Sequence, residues 1–398
     1  MFFKIFIHYS QRFNGLFYSI FLFIISFIPS FLLYFFFNTQ LIKLNQKRIG
    51  HLCLDVDAFI KDNILSNSSK KFILIKDKEN ANTKLFNYFA KYLIIIKKKL
   101  PSLILRIFFS NSFFLIDISK KYSEGTDSLK LYKIVSKWGG RNSLFKLSNK
   151  DYKIGNNFMK KKKLDTKKFI VCFHSRTSIF SGGVNKDYGQ SFRNFSCESF
   201  EKAIKFIIKQ GGLVIRLGDK DNVKINIKNK NYFDYANYKK NPSLDIFFCA
   251  SAKFFVGNTS GLFGLSSIFG VPVACCNMIP ITTSLVYSHK DIGIPVMYSK
   301  NSKLLSFKKI FRSKIRNALF DSDYKKIKEK IKIIYNSPED IKSLVSEMYN
   351  QLNNSFKINN SDLKLQKKFK KNFQLGDSRF FSKSNISYSF LSKYKKLL

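Results

Sequence analysis

The sequence predicts an α/β protein of two lobes behind an N-terminal hydrophobic membrane segment, and three observations carry that expectation. Between Phe169 and Pro280 a short apolar strand, a polar loop and a helix or helical turn recur four times. Ahead of that repeat, residues 41 to about 150 hold a smaller set of strand-like and helix-like segments. Ahead of both, Gly15 to Phe37 is almost wholly apolar, and no charged residue occurs between Arg12 and Lys43. The expected organisation is a membrane segment at 1–40, a first lobe at 41–163, a second at 164–320, and C-terminal helices with a basic tail at 321–398.

Roughly 20 apolar residues cross a bilayer. The stretch at 15–37 is too long for a typical signal peptide and lacks a small-residue cleavage site. Pro29-Ser30 near its middle allows a kinked span or a re-entrant hairpin; a buried soluble helix is the third reading. Lys4 and Arg12 precede it, and Lys43, Lys47 and Arg48 follow. The excess of basic residues downstream places the body of the chain on the cytoplasmic side.

In the first lobe, Phe72 to Ile75 reads as a strand and Lys84 to Ile95 as a helix, with Ser102 to Phe109 and Phe113 to Ile116 as further short apolar segments. Lys160 to Lys163, preceded by Asn156 and Asn157, reads as a solvated linker. The second-lobe strands are Phe169 to Phe173, Leu213 to Leu217, Phe254 to Val256 and Val271 to Cys275. Their exits carry His174, Ser175 and Arg176; Gly218 and Asp219; Asn258, Thr259, Ser260 and Gly261; and Asn277. In an open parallel sheet such exits share one rim, where ligands bind.

Ser196 can cap a helix whose Phe200, Ala203, Ile204 and Ile207 share a face, stopped by Gly211 and Gly212. Asp245 to Ala250 and Gly261 to Phe269 read as two more, the last entered through a loop able to aim N–H groups at an anion. Ser337-Pro338-Glu339-Asp340 starts a further helix with Ile341, Leu344, Val345, Met348 and Leu352 on one face. From Asn353 onward the Lys-rich tail has too little apolar periodicity to predict a fold.

Lys and Arg total 70 against 26 acids, a formal charge of +44 in 398 residues. No recognition-helix, zinc or aromatic RNA-binding motif accompanies that charge, so no specific nucleic-acid partner is expected. The charge does favour anionic lipid surfaces and phosphorylated substrates. Six cysteines lie at 53, 172, 197, 249, 275 and 276 without metal-ligand or disulfide spacing. They are expected to be free, small hydrophobes in a reducing compartment.

Several motifs stand in order: R-I-G-H-L at Arg48 to Leu52, C-F-H-S-R at Cys172 to Arg176, F-R-N at Phe192 to Asn194, and G-G-L-V-I-R-L-G-D at Gly211 to Asp219. D-Y-A at Asp234 to Ala236, L-D-I-F-F-C-A at Leu244 to Ala250, F-F-V-G-N-T-S-G at Phe254 to Gly261 and F-G-V-P-V at Phe269 to Val273 follow. Over roughly residues 45 to 300 this series resembles a family of bacterial glycosyltransferases associated with surface-polysaccharide gene sets. It is more distantly similar to fucosyltransferases and heptosyltransferases. The resemblance implies a GT-B-like α/β fold: two Rossmann-like lobes facing across a cleft, with a nucleotide-sugar donor in the second. The hydrophobic segment supports a lipid-linked acceptor, a surface glycan being the other expectation, and with its basic flanks it puts the enzyme at the bacterial inner membrane, lobes facing the cytoplasm.

The donor residues expected on these grounds are His174, Arg176, Arg193, Arg216, Gly218, Asp219, Asp245, Thr259, Ser260, Gly261 and Asn277. Arg176 and Arg216 are permanently charged forks suited to a pyrophosphate; the alternative for Arg216 is an ion pair with Asp219 or Asp245. Thr259, Ser260 and Gly261 suit phosphate through N–H and hydroxyl groups. Asp219 could take a sugar hydroxyl or hold Arg216. Arg193 could close over the donor or cap a surface turn.

His51, read as lying on a Gly-containing loop, is the expected base for the acceptor hydroxyl; its alternative is a core histidine bonded to a carbonyl. Asp55 and Asp57 are substitute bases. His8 and His289 have no supporting context. No Glu lies between Glu201 and Glu329, which favours inversion over retention. D-x-D pairs at Asp55/Asp57, Asp219/Asp221 and Asp321/Asp323 are too short a pattern to signal a metal, and neither metal nor cofactor is expected beside the sugar nucleotide. The competing functions are a nucleotide-sugar epimerase on the same fold and a non-catalytic basic membrane scaffold.

Overall fold

The computed structural model describes residues 23–24, 27–109, 114–123, 128–177, 189–220, 225–282, 288–327 and 331–398. Residues 15–22, 25 and 26 of the expected membrane segment lie outside the described residues, as do His8, Phe113, Asp221 and Glu329. Among the described residues no helix is long and apolar enough to cross a membrane.

Two parallel sheets form the frame. The first comprises β1 (Thr39–Lys43), β2 (Lys71–Ile75), β3 (Ile94–Ile96) and β4 (Leu115–Asp117), ordered β3-β2-β1-β4. The second draws on β5 (Ile170–His174), β6 (Leu213–Arg216), β7 (Tyr232–Asp234), β8 (Ala252–Asn258), β9 (Val273–Met278) and β10 (Ile292–Pro295). A small antiparallel sheet, β11 (Met297–Lys300), β12 (Lys303–Leu304) and β13 (Ile331–Ile334), follows, and β14 (Asn385–Ile386) returns to edge the second sheet. The second sheet reads β14-β10-β9-β8-β5-β6-β7. Paired parallel α/β lobes are consistent with a GT-B-like architecture.

Each sheet reverses its winding once. In the second, the chain runs outward from β5 through β6 to β7, then resumes on β5's other side with β8. In the first, it runs from β1 through β2 to β3, then resumes on β1's other side with β4. Strand exits diverge at such a reversal and leave a crevice at the carboxyl edge. Both crevices open into one interlobe cleft of about 870 Å³.

The lobes meet through the Ile49–Leu65 helix, which packs on the short Phe263–Ile268 helix of the second lobe, and through the Asn149–Lys161 helix, which packs on Pro242–Ser251. The start of the Ile49–Leu65 helix touches the turn after β8 so closely that a Cβ on Gly50 would stand 2.9 Å from Gly261 Cα, and one on Gly261 2.9 Å from Gly50 N. Only two glycines allow that approach.

Three first-lobe expectations change, and one unassigned segment gains a structure. His51 sits in the first turn of the Ile49–Leu65 helix, not on a loop. Lys84 to Ile95 is not one helix: a short turn of helix at Leu85–Phe89 is followed by β3, whose Ile-rich run suits a pleated ribbon. The segment at Ser102 to Phe109 belongs to a helix, Lys99–Phe108. Asn156, Asn157, Lys160 and Lys161 are helical too, in Asn149–Lys161, so the linker begins later.

The tail after Asn353 is also ordered. Glu347, buried on the Pro338–Leu352 helix, accepts hydrogen bonds from Ser387 Oγ and from the N–H groups of Tyr388 and Ser389. Such contacts supply what the tail's own pattern lacks. All six cysteines are free and buried, as expected.

Candidate active site

On the first-lobe wall, helical spacing brings His51 and Asp55 together one turn apart. His51 Nδ1 lies 3.0 Å from Asp55 Oδ2 and 2.8 Å from Ser123 Oγ. Ser119, in the helix after β4, donates its hydroxyl to the same Asp55 oxygen at 2.8 Å and accepts the Asn45 N–H at 3.0 Å, which pins the β1 exit to the β4 exit. The Asp55 side chain is fully buried while that of His51 keeps 22% exposure. Burial pushes the Asp55 carboxyl up, and the bonds from His51, Ser123 and Ser119 oppose that rise. Its Oδ1 has no hydrogen-bond partner. A hydrogen on Nδ1 directed at the carboxylate would leave the lone pair of a neutral ring on Nε2.

Asp57, the alternative base, faces elsewhere on the helix and pairs with Lys61 at 2.6 Å. It does not line the cleft.

On the second-lobe wall, His174 ends β5, and its Nδ1 donates to the Leu217 carbonyl at 3.0 Å. Burial is the main reason its pKa falls to about 4. The backbone opposite must lack a Cβ: Gly218 has φ +134, and a Cβ there would stand 2.8 Å from His174 Nδ1.

Arg176 follows on the same exit. Its N–H donates to Asn258 Oδ1 at 2.8 Å, tying the β5 exit to β8 across the crevice, and its Nη1 donates to the Gln190 carbonyl at 2.9 Å and to Asn194 Oδ1. Arg193 forks onto the Thr259 carbonyl with Nε at 3.2 Å and Nη2 at 3.0 Å, and reaches Gln190 Oε1 at 2.7 Å. It braces the turn after β8 from inside rather than capping a surface turn. Ser260 and Gly261 line the cleft beside it.

Other expected donor residues have different partners from those the sequence suggested. Arg216 pairs at 3.0 Å with Asp234, its neighbour in the β6–β7 register. Asp219 pairs with Lys240. The Thr259 hydroxyl is used internally, donating to the Asn277 carbonyl at 3.2 Å and accepting the Ile279 N–H at 3.3 Å.

Asn277 is absent from the cleft lining. It exchanges two hydrogen bonds with Asn336, of 2.5 and 2.7 Å, and so fastens β9 to the segment entering the Pro338–Leu352 helix. Asp245, in the first turn of the Pro242–Ser251 helix, does line the cleft; burial raises its pKa to about 6, Asp219 adds to the rise, and Lys240 opposes it.

Sequence reasoning missed Ser119, Ser123, Asp234, Lys240 and Gln190. Only Asp234 lay in a quoted motif; the others are visible only once the strands are paired. Among the described residues no group of three or more His, Cys, Asp or Glu side chains could hold a metal ion.

No family model matches the sequence, and the comparison with curated proteins gives no match. Solved structures that the chain resembles include a glycosyl transferase family 9 protein from Veillonella parvula DSM 2008 (TM-score 0.43, 10% identity, 65% of this chain and 85% of that one). Others are the ADP-heptose lps heptosyltransferase II of E. coli (0.43, 10%, 78% and 99%) and the iron-containing dodecameric glycosyltransferase TibC from enterotoxigenic E. coli H10407 (0.42, 11%, 79% and 76%).

Proposed function

We propose that the protein is a glycosyltransferase that moves a sugar from a nucleotide-sugar donor to a lipid-linked or surface-glycan acceptor, with inversion and without a metal. One observation carries the reading: a single cleft has a carboxylate-held imidazole on one wall and the cationic reversal point of a parallel sheet on the other. The donor belongs to the second lobe, its diphosphate against Arg176 and the N–H groups of the Ser260-Gly261 turn. The acceptor belongs to the first, with its hydroxyl at His51.

In the proposed step the acceptor hydroxyl oxygen attacks the anomeric carbon, and the bond from that carbon to the diphosphate oxygen breaks. The hydroxyl proton passes to His51 Nε2, and the bonding pair leaves with the nucleoside diphosphate. Asp55 positions the ring and stabilises the imidazolium that forms. Arg176 meets the charge that grows on the leaving group, a contribution that lowers the barrier because the charge is greatest there. The membrane segment at 15–37 would hold the enzyme at the cytoplasmic face of a bacterial inner membrane.

A thermal-shift screen of the purified chain against nucleoside diphosphates and nucleotide sugars tests the reading. A ligand well above its Kd stabilises by roughly a few kcal/mol. A shift confined to one nucleotide class and lost in Arg176→Ala is the expected result. No shift across the panel, from a chain that still melts cooperatively, overturns it and favours a non-catalytic scaffold.

A further inference from the structure

The first lobe carries a helix whose apolar side faces outward. Lys99–Phe108 has no buried residue, yet Leu100, Leu103, Ile104 and Ile107 recur at helical spacing along one stripe, with exposures of 67, 56, 40 and 39%. Soluble amphipathic helices turn such a stripe inward. Here only Leu105 and Phe108, off the stripe, pack against a small core of Leu41, Ile73, Ile75, Phe109 and Phe114.

The surface around the stripe has two further properties. Lys97, Lys98 and Lys99 stand exposed at the start of the helix, and Arg106, exposed on it, pairs with Asp77. Residues 27–35 are helical and pack on the same small core through Leu33 and Tyr34, with Phe27 and Tyr34 against Phe114. Phe35, which ends that helix, and Phe36 and Phe37 beyond it are 61, 74 and 64% exposed. Apolar surface rimmed by lysine, on a chain of charge +44, is complementary to an anionic bilayer and to few other partners.

We infer that the Lys99–Phe108 helix is an interfacial membrane helix, lying in the plane of an anionic lipid surface with Leu100, Leu103, Ile104 and Ile107 among the acyl chains and Lys97 to Lys99 at the headgroups. It is distinct in sequence from the segment at 15–37, whose Ser30 hydroxyl donates to the Phe108 carbonyl and whose Leu33 and Tyr34 share the small core. The docking sets the cleft at the lipid surface: a recess of about 220 Å³ beside the helix is lined by Arg106, Phe109, Leu41 and Ile75, and shares Lys43 and Leu44 with the cleft lining. Its bearing on the acceptor, which would then be an amphiphile whose lipid part stays in the membrane, rests on the transferase reading; the docking does not.

The test uses the full chain, whose native cysteines are all buried. An environment-sensitive fluorophore is attached to Leu103→Cys and, as a control, to Lys209→Cys at the end of a second-lobe helix. Vesicles of phosphatidylglycerol with phosphatidylethanolamine are expected to shift the label at 103 to the blue, with quenching by brominated acyl chains, and to leave the label at 209 unchanged. Phosphatidylcholine vesicles should give a weaker response.

A chain that floats with anionic vesicles while the label at 103 still reports water overturns the inference, because another segment then does the binding. So does a lipid-free dimer, seen by light scattering, that Leu103→Glu disperses, since a second copy would be the occupant. Ile107→Glu, placed beside the label at 103 on another exposed position, should reduce that label's blue shift on the order of tenfold and leave the label at 209 unchanged. None of these readouts needs turnover, so failure of the docking and failure of the transferase reading are told apart.

Discussion

Among the described residues two histidines line the cleft, one on each wall, and they differ in what holds Nδ1. His174 gives its Nδ1–H to a main-chain carbonyl, in a burial deep enough to bring its pKa to about 4. His51 presents Nδ1 to a buried carboxylate and a serine hydroxyl, with part of its ring open to the cleft. A carbonyl offsets a positive ring only in part, and at His174 burial outweighs it, whereas a carboxylate brings a full opposite charge. Burial thus keeps the ring neutral in one lobe, while in the other the carboxylate beside Nδ1 supports the proton acceptor proposed above.

The sharpest way to break this contrast is to exchange the roles of the two rings. His51→Ala should leave donor affinity intact and lower turnover by roughly a hundredfold or more; full activity would move the base elsewhere. Asp55→Asn keeps the shape but not the charge, and kcat should fall on the order of tenfold with KM little changed. Arg176→Ala should weaken donor binding by about tenfold, measured by titration calorimetry, because a charge-assisted contact is lost. His174→Gln should alter KM by only a few-fold and leave the pH–rate profile between about pH 5 and 8 unchanged, since a ring that titrates near 4 does not change charge there.

The smallest effect concerns stability. A histidine with a lowered folded pKa contributes stability in full above its unfolded value of about 6.5, and that stability is lost as pH falls toward 4. Asp245 acts in the opposite sense. Its raised pKa contributes stability below the ordinary carboxylate range that is lost as pH rises through about 6. Asp245→Asn should accordingly raise the melting temperature at pH 8, by on the order of 1–2 kcal/mol of stability, and leave it unchanged near pH 4.

The second lobe was far more legible than the first. Strands β5, β6, β8 and β9 each alternate with a helix of clear face, and their exits place His174, Arg176 and the Thr259-Ser260-Gly261 turn on one rim. The helix bearing His51 was hidden by its own composition. Arg48 gives it no side-chain cap, and Leu52, Cys53, Leu54, Val56, Ala58, Phe59 and Ile60 are all buried, so the usual start signal and the polar face are both missing.

Partnerships were less legible than elements. Arg216 finds Asp234 because β6 and β7 pair in that register, a fact of sheet order and not of sequence distance. The two-residue strand β14 is fixed by tertiary contacts, including Gln366 to the backbone of Ile386, and has no pattern of its own to read.

The glycine pair where the lobes touch has a mechanical meaning. If one lobe tilts on the other while Gly50 and Gly261 stay in contact, that contact is the fulcrum, and displacement grows with distance from it. His51 follows Gly50 in the chain and Ser260 precedes Gly261, so for a tilt about that contact the proposed base and the proposed phosphate turn both lie next to the pivot. Under such a tilt the outer mouth of the cleft would move further than the spacing between these two groups does.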